Sequence, residues 1–251
     1  GGTSKSSTDA VAKCVADLKE RGLIQQVRPG LFLLEVLNTE FCGRLEEELA
    51  HFRASGLPST APNTMNRHGV IMSELGFGPH FLDRFVGSYV DLLAGALLPE
   101  HTQGLDSHRS FTVLYDAAEG GDRELQMHYD NSEVTLNINI GGDWEAGGVS
   151  YHGLATEPED QAVVAEVAPK CGWGAFHAGL DLHKALPIAS GRRHNLVIWC
   201  RSSGVRNKRC PMCFEAPRCL PTNRFGDEGF TVPPCRVSEA SWDAGLRELF
   251  S

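Results

Sequence analysis

The feature that most constrains the fold is a series of short β-prone segments that begins at Ser110. Residues 111–115 form the first segment, and 135–140 alternate strictly between polar and apolar side chains. The further segments are 149–152, 161–167, 174–177 and 195–200. Short strands separated by Gly, Asp, Asn and Pro favour an antiparallel sandwich or barrel. Helices do not alternate with these strands, which disfavours a doubly wound parallel sheet.

The residues before this series predict helices that support a sheet. Apolar spacing predicts helices over 9–21, from Thr39 to near Gly56, and over 81–98, with a strand within 27–37. We predict four segments. Residues 1–8 are a lead, either an expression remnant or a flexible segment, and residues 9–108 are a support region. Residues 109–205 form a catalytic core, and residues 206–251 form a Cys/Pro-rich extension that ends in a short helix over 238–250.

Charge and hydropathy exclude several function classes. The chain of 251 residues has a formal charge of −9, so its overall field opposes binding of a nucleic acid. Neither a membrane span nor a signal-peptide pattern is present in the sequence, and a CxxC pair is typical of a reducing compartment. These patterns predict an intracellular protein, cytoplasmic or nuclear, without nucleic acid or membrane as a partner.

A histidine and an aspartate two residues apart give the first chemical signal. His128-Tyr129-Asp130 follows a predicted strand and precedes the alternating strand, which places both side chains near the mouth of a barrel. A third ligand from a later strand is then expected, and His183 stands there, with His177 as the rival. Two imidazoles and one carboxylate leave coordination positions open, as non-haem Fe(II) requires. The same set plus water also suits a zinc hydrolase.

The segment from His183 to Trp199 resembles the prolyl-4-hydroxylase-like branch of the 2-oxoglutarate dioxygenases. In that branch an apolar stretch and a Gly turn follow the distal histidine, and a basic residue opens the last core strand before a Trp. Arg193, six residues before Trp199, matches the basic position that binds the distal carboxylate of 2-oxoglutarate. A guanidinium can hold a carboxylate through two parallel hydrogen bonds. Arg192 is the alternative.

The resemblance also implies co-substrate contacts from the strand that follows the H-x-D motif. Thr135, Asn137 and Asn139 share one face of the alternating strand, and a polar inner face is natural where a polar ligand is bound. Tyr115 stands where relatives place a tyrosine that hydrogen-bonds 2-oxoglutarate, although ordinary core packing would also explain it.

The implied fold is mainly β with flanking α: a double-stranded β-helix (jelly-roll) core with N-terminal support helices. The implied reaction converts 2-oxoglutarate and O₂ to succinate and CO₂ while a C–H bond is hydroxylated, and L-ascorbate often supports it. The leading substrate is a prolyl or lysyl side chain of a peptide or protein. A small-molecule oxygenase, a zinc hydrolase and a non-catalytic binding module remain alternatives.

The cysteines near the end of the chain suggest a second metal. Cys210 and Cys213 form a CxxC pair, and Cys219 and Cys235 follow. Four thiolates could hold a structural Zn(II), but only one half has the tight spacing, so four reduced thiols are the slightly favoured alternative.

Overall fold

A computed structural model describes residues 3–63, 65, 67–156, 163–212 and 214–216, without the side chains of residues 3–8 and of Pro79. The strands are β1 (Ile24–Arg28), β2 (Leu31–Glu35), β3 (Ser107–Asp116), β4 (Leu125–His128), β5 (Val134–Gly141), β6 (Trp144–Glu145), β7 (Val149–Leu154), β8 (Ala165–Val167), β9 (Trp173–Ala178), β10 (Asp181–Ala185) and β11 (Ser190–Arg201). The helices are α1 (Thr3–Glu20), α2 (Thr39–Ala54), α3 (Asp83–Phe85), α4 (Asp91–Leu97) and α5 (Ser203–Arg206), with π-helical turns at Gly78–Leu82 and Val86–Val90 and a 3₁₀ turn at Pro99–His101.

Two antiparallel sheets form the jelly-roll core. The larger sheet has the order β1-β2-β9-β5-β11-β3, with β6 paired to β11, and the smaller has the order β4-β10-β7-β8. Consecutive strands often lie in different sheets, as β4 and β5 do. The loop after β4 therefore spans the opening between the two sheets.

The alternation of β5 sets the two faces of the larger sheet. Leu136, Ile138 and Ile140 are buried on one face in the main apolar cluster, which also contains residues of α1, α2 and α4. Thr135, Asn137 and Asn139 point to the opposite face, toward the smaller sheet, because successive side chains of a strand alternate. The helices thus cover the apolar face and leave the polar face for the interior between the sheets.

The helix α2 begins and ends where the sequence predicted. Asn38 caps it, since its Oδ1 accepts a hydrogen bond from the Phe41 backbone N–H at 2.7 Å. The helix buries Cys42, Leu45 and Leu49 against the sheet. This packing confirms the expected support role.

Several predicted boundaries were wrong. The strand expected within 27–37 is instead the β1–β2 hairpin, which turns at Pro29-Gly30, where Gly30 has a positive φ of 78°. α1 begins at Thr3 rather than Asp9, because an established helix gains one hydrogen bond for each residue added. The helix expected from 81 begins at Gly78 and contains the two π-helical turns. The short strands β4 and β6 were not predicted, because their few residues lack a clear period. The strand expected at His183 is β10.

Within the described part of the chain, no helix combines the length and the apolar character that crossing a membrane requires.

Candidate active site

The strand pair β4–β10 brings the three predicted metal ligands together. His128 ends β4 and pairs directly with His183 in β10, and Asp130 lies in the loop that leaves β4. Oδ1 of Asp130 lies 3.6 Å from Nε2 of His128 and 3.8 Å from Nε2 of His183. One potential ligand atom from each residue lies within 4.8 Å of the other two, a spacing that suits a shared metal ion.

Hydrogen bonds orient all three side chains toward one point. Nδ1 of His128 donates to the Gln126 carbonyl and Nδ1 of His183 donates to the Asp181 carbonyl, each at 2.7 Å. A carbonyl only accepts, so each Nδ1 carries the proton and each Nε2 keeps a lone pair for a metal. Oδ2 of Asp130 accepts from the Thr135 hydroxyl at 2.7 Å, which leaves Oδ1 for the metal.

Burial favours the neutral form of the His128 imidazole, and a metal binds that form. The pKa of His128 is lowered from its ordinary value, first by burial and then by His183. His177, the rival ligand, lies behind His183 with ring centroids 5.0 Å apart, and its Nδ1 bonds the Ala178 carbonyl. Burial lowers the pKa of His177 to about 3. His177 does not belong to the group of converging ligand atoms found among the described residues.

Arg193 presents an unpaired cation inside the core. Its side chain is only 3% exposed, its guanidinium carbon lies 4.4 Å from the Tyr115 ring centroid, and one terminal nitrogen donates to the Gly148 carbonyl at 3.2 Å. Its Nε and its other terminal nitrogen have no hydrogen-bond partner among the described residues. Burial lowers its pKa, yet a guanidinium stays charged in a protein. An uncompensated buried cation is costly, so these two nitrogens fit a bound carboxylate.

The alternative arginine points elsewhere. Nε of Arg192 donates to Oδ2 of Asp116 at 2.6 Å, and the Arg192 side chain is 67% exposed. The structure thus separates the two adjacent arginines, one into the interior and one onto the surface.

The polar face of β5 faces the same interior between the two sheets as Arg193. Thr135 holds Asp130, and Oδ1 of Asn137 accepts from the Asn195 amide at 2.6 Å. Both amide atoms of Asn139 are buried without a partner in the described structure, as is Oδ1 of Asn195. Buried amides normally find partners, so these atoms also point to a polar ligand. Tyr115 lies under the Arg193 guanidinium, and burial raises the pKa of its phenol.

A cavity of about 200 Å³ opens at the metal ligands. Its described lining consists of the three ligands, aromatic residues (Phe111, Tyr115, Tyr129, Trp199), aliphatic residues and methionines (Val113, Leu125, Val149, Ala185, Val197, Met65, Met212), and amides (Asn63, Asn131, Asn137). The ligands thus lie at the end of a mostly apolar pocket.

Sequence reasoning missed the groups that support this site. The Gly148, Gln126 and Asp181 carbonyls give no side-chain signal in a sequence. Asp181 itself is held by an ion pair with Arg28 of β1, and Tyr151 stacks on the His183 ring with centroids 5.6 Å apart. The alternation of β11 places Asn195 on the same face as Arg193, and this pattern could have indicated Asn195 as a further residue of the site.

The predicted zinc site is untested. Cys210 is buried in the described structure, whereas Cys213, Cys219, Cys235 and the helix predicted over 238–250 lie outside the described residues. The four-thiolate site therefore stays a prediction.

The chain is similar in sequence to several known proteins, among them proteins named as 2-oxoglutarate and iron-dependent oxygenases. The family model for the OGFOD2-like domain matches residues 5–103. A Xenopus tropicalis protein named 2-oxoglutarate and iron-dependent oxygenase domain-containing protein 2 is 43% identical over 202 residues, which are 80% of this chain and 57% of that protein. The chain thus spans less than two thirds of this relative's length. A Rattus norvegicus protein named multifunctional procollagen lysine hydroxylase and glycosyltransferase LH3 is 26% identical over 72% of this chain and 24% of its own length.

A solved structure shares the fold. SnoN, described as a non-heme alpha ketoglutarate dependent epimerase from nogalamycin biosynthesis, superposes with a TM-score of 0.53 at 14% identity. The match covers 79% of this chain and 82% of SnoN. At this identity the likeness concerns the fold alone, whereas the match to the frog protein is a sequence match that covers 80% of this chain. The chain is therefore similar over most of its length to 2-oxoglutarate and iron-dependent oxygenase domain-containing protein 2.

Proposed function

We propose that the chain is an Fe(II)- and 2-oxoglutarate-dependent dioxygenase that hydroxylates a C–H bond. The observation that carries the proposal is the pairing of a His128–Asp130–His183 cluster with Arg193, whose two buried donors lack partners in the described structure. Three protein ligands leave room for a chelating co-substrate and O₂. A zinc hydrolase could use the same three ligands, but it has no need for a buried guanidinium beside them.

The chain's own residues hold and orient the reactants. Arg193 would bind the distal carboxylate of 2-oxoglutarate, with Tyr115, Asn137 and Asn139 completing a polar wall, while Thr135 fixes the Asp130 carboxylate. When bound, Fe(II) and 2-oxoglutarate supply the oxidising power, as O₂ converts the co-substrate to succinate and CO₂ and the target C–H bond gains a hydroxyl group. The apolar lining of the cavity excludes bulk water from this point.

A prolyl or lysyl side chain of a peptide or protein is the proposed target. The segment from His183 to Trp199 resembles the branch that hydroxylates such residues, and the name of the rat relative assigns lysine hydroxylation to that protein. The cavity opens at its mouth through Met65 and Met212, which are 40% and 47% exposed, so a side chain of a larger partner can reach the ligands. L-Ascorbate is the proposed reductant that returns the iron to Fe(II).

Succinate formation tests the proposal. Protein purified without oxygen is given Fe(II), ascorbate, 2-oxoglutarate and air, without any further substrate. We expect slow turnover that is lost in His183→Ala, and a 2-oxoglutarate requirement raised by about tenfold or more in Arg193→Ala, because charge-assisted hydrogen bonds are lost. Arg192→Ala is the matched control and should behave like the unaltered protein. If neither turnover nor Mn(II)-dependent binding of 2-oxoglutarate is found, the proposal is wrong.

A further inference from the structure

Three consecutive basic residues near the start of β11 point in different directions. Arg192 lies on the surface, where its Nε donates to Asp116. Arg193 turns into the interior between the sheets, where its guanidinium lies over the Tyr115 ring. His194 lies on the opposite face of the sheet and contacts the helix α2. The direction of Arg193 is therefore set between one neighbour on the surface and one neighbour under a helix.

Two charged residues of α2 hold the His194 ring. Nδ1 of His194 lies 2.7 Å from Oε1 of Glu46, and Nε2 lies 3.2 Å from a terminal nitrogen of Arg53. A carboxylate only accepts and a guanidinium only donates, so Nδ1 carries the proton and Nε2 accepts. The His194 side chain is 3% exposed, and burial strengthens both hydrogen bonds. The ring is thus fixed at both of its nitrogens.

This anchor lies where the pairing of β11 with β5 becomes irregular. His194 lies opposite Gly141, whereas Asn195 lies opposite Asn139. The residue of β5 between these two partners forms a bulge, and a bulge changes the direction of nearby side chains. β5 ends at Gly141, so its ladder with β11 does not continue to Arg193. The contacts with α2 therefore hold β11 at the point where this ladder stops.

The absence of a side chain at Gly141 lets Glu46 reach His194. A Cβ atom on Gly141 would lie 3.2 Å from both Cγ and Oε1 of Glu46, closer than an ordinary contact. Oε1 is the atom that accepts from His194, so a side chain at position 141 would press against this hydrogen bond. The glycine thus leaves room above the strand for a carboxylate of the helix.

We propose that His194 is a positioning residue, and that its anchoring to α2 aims the Arg193 guanidinium at the distal carboxylate of 2-oxoglutarate. The inference rests on the proposed function, which assigns that carboxylate to Arg193. Successive side chains of a strand point to opposite faces, so a ring fixed on the helix side also fixes the direction in which Arg193 enters the interior. The guanidinium stands at the end of a long side chain, so a small rotation of the backbone displaces it by a larger distance. Binding depends closely on such geometry.

Two 2-oxo acids distinguish positioning from a general loss of structure. 2-Oxoglutarate carries the distal carboxylate, and 2-oxopentanoate has a methyl group in its place, while both keep the 2-oxo acid group that binds a metal. The dissociation constant of each acid is measured with Mn(II)-loaded protein. The unaltered protein should prefer 2-oxoglutarate by about tenfold or more, since only this acid can form charge-assisted hydrogen bonds with Arg193. His194→Phe should lower the preference about fivefold, with 2-oxopentanoate binding unchanged.

Other residues of α2 provide the controls. His51→Phe makes the same substitution at a histidine whose side chain is 81% exposed, and it should change neither dissociation constant. Substitutions of Glu46, whose side chain is 32% exposed, test the anchor even where His194→Phe fails to fold. Glu46→Gln keeps an oxygen that can accept from Nδ1 and should keep most of the preference. Glu46→Leu removes this acceptor and should lower the preference as His194→Phe does.

The outcomes separate the inference from the proposed function. An unchanged preference in His194→Phe and Glu46→Leu overturns the inference, and so does an equal weakening of both acids, which indicates a general loss of the site. Equal binding of the two acids by the unaltered protein also overturns it, because Arg193 then does not recognise the distal carboxylate. The absence of Mn(II)-dependent binding of either acid overturns the proposed function, and the inference with it.

Discussion

Thr135 shows how one hydroxyl can determine the geometry of a carboxylate ligand. Its Oγ1 donates to Oδ2 of Asp130, and the Ser132 hydroxyl lies 2.8 Å from the same Oγ1. All three side chains are buried, so these bonds decide which oxygen of Asp130 faces the imidazoles. Partners that orient a metal ligand commonly affect metal affinity by one to two orders of magnitude.

Replacing Thr135 by Val should therefore weaken metal binding. We expect the dissociation constant for Mn(II), measured by titration, to rise about tenfold or more, because the Asp130 carboxylate loses its fixed orientation. Thr112→Val is the control: Thr112 is equally buried and its hydroxyl accepts from the Val70 N–H, but Thr112 does not line the cavity. That variant should lose stability and keep the affinity for Mn(II). Equal Mn(II) affinities in both variants and the unaltered protein would show that Thr135 does not orient Asp130.

His177 gives the metal-free protein a sensitivity to acid. Burial holds its pKa near 3 in the fold, against 6.5 for an ordinary histidine, so the unfolded chain binds the proton more readily. Stability is then complete above pH 6.5 and falls as the pH is lowered from 6.5 toward about 3. His177→Phe removes the group and its unpartnered Nε2, and it should move the acid unfolding midpoint to lower pH.

His177→Phe also shows whether His177 only packs in the core or also binds the metal. If His177 only packs behind His183, His177→Phe keeps the Mn(II) affinity at pH 7.5 while acid unfolding, followed by circular dichroism, shifts. A loss of Mn(II) binding comparable with that of His183→Ala would instead make His177 a ligand.

At the scale of elements, the N-terminal hairpin is tied to the strand that carries the distal ligand. Arg28 of β1 forms an ion pair with Asp181 of β10, and the carbonyl of Asp181 holds the His183 ring. The Asp181 side chain is 1% exposed, and burial raises its pKa while Arg28 lowers it. The pair therefore compensates a buried charge beside the metal site.

Removing Arg28 should destabilise the protein and loosen the site. Arg28→Met leaves the Asp181 carboxylate unpaired, and we expect a loss of about 3 kcal/mol in the free energy of unfolding by urea. Arg44→Met, which breaks the exposed Arg44–Glu40 pair, should cost about 1 kcal/mol or less. A weaker Mn(II) affinity should accompany the first change and not the second. Equal effects on unfolding would show that the buried pair adds little.

The convergence of His128, Asp130 and His183 could be predicted from the sequence, whereas the groups that hold these side chains could not. His128, Asp130 and His183 belong to residue types that metals require, and the strand pattern places them at one end of a barrel. The Arg28–Asp181 pair joins positions 153 residues apart, and no local pattern links two such residues. Likewise, the turn at Gly30 split a predicted strand because a continuous apolar run does not show where the chain reverses.

At the scale of the whole molecule, a buried ion pair joins the segment after the last core strand to the loop that carries Asp130. Arg206 of α5 donates through Nε to Glu133 at 2.8 Å and through a terminal nitrogen to Asn131 at 2.9 Å. Both partners of the ion pair are 4% exposed. Asn131 follows Asp130 and lines the cavity, so this contact connects the chain beyond β11 to the substrate side of the site.

Mutations can separate the Arg206–Glu133 ion pair from the rest of the structure around Glu133, because Glu133 also accepts a second hydrogen bond. Its Oε2 accepts from the Ser202 backbone N–H at 2.8 Å, a bond that a glutamine at this position could keep. Burial raises the pKa of Glu133 while Arg206 lowers it, so without Arg206 this buried carboxylate would lose the cation that it hydrogen-bonds. Arg206→Met should thus cost about 3–5 kcal/mol in the free energy of unfolding, and Arg206→Met combined with Glu133→Gln should recover most of that loss.

Succinate formation in the double variant then distinguishes two roles of the segment. If the ion pair only stabilises the fold, the double variant regains peptide-free turnover and also its response to peptides. If Arg206 positions Asn131 at the cavity, peptide-free turnover returns but the KM for a responsive peptide library stays raised, because the amide that lines the cavity has lost its anchor. If Arg206→Met unfolds no more easily than the unaltered protein, Arg206 neither stabilises the fold nor positions Asn131.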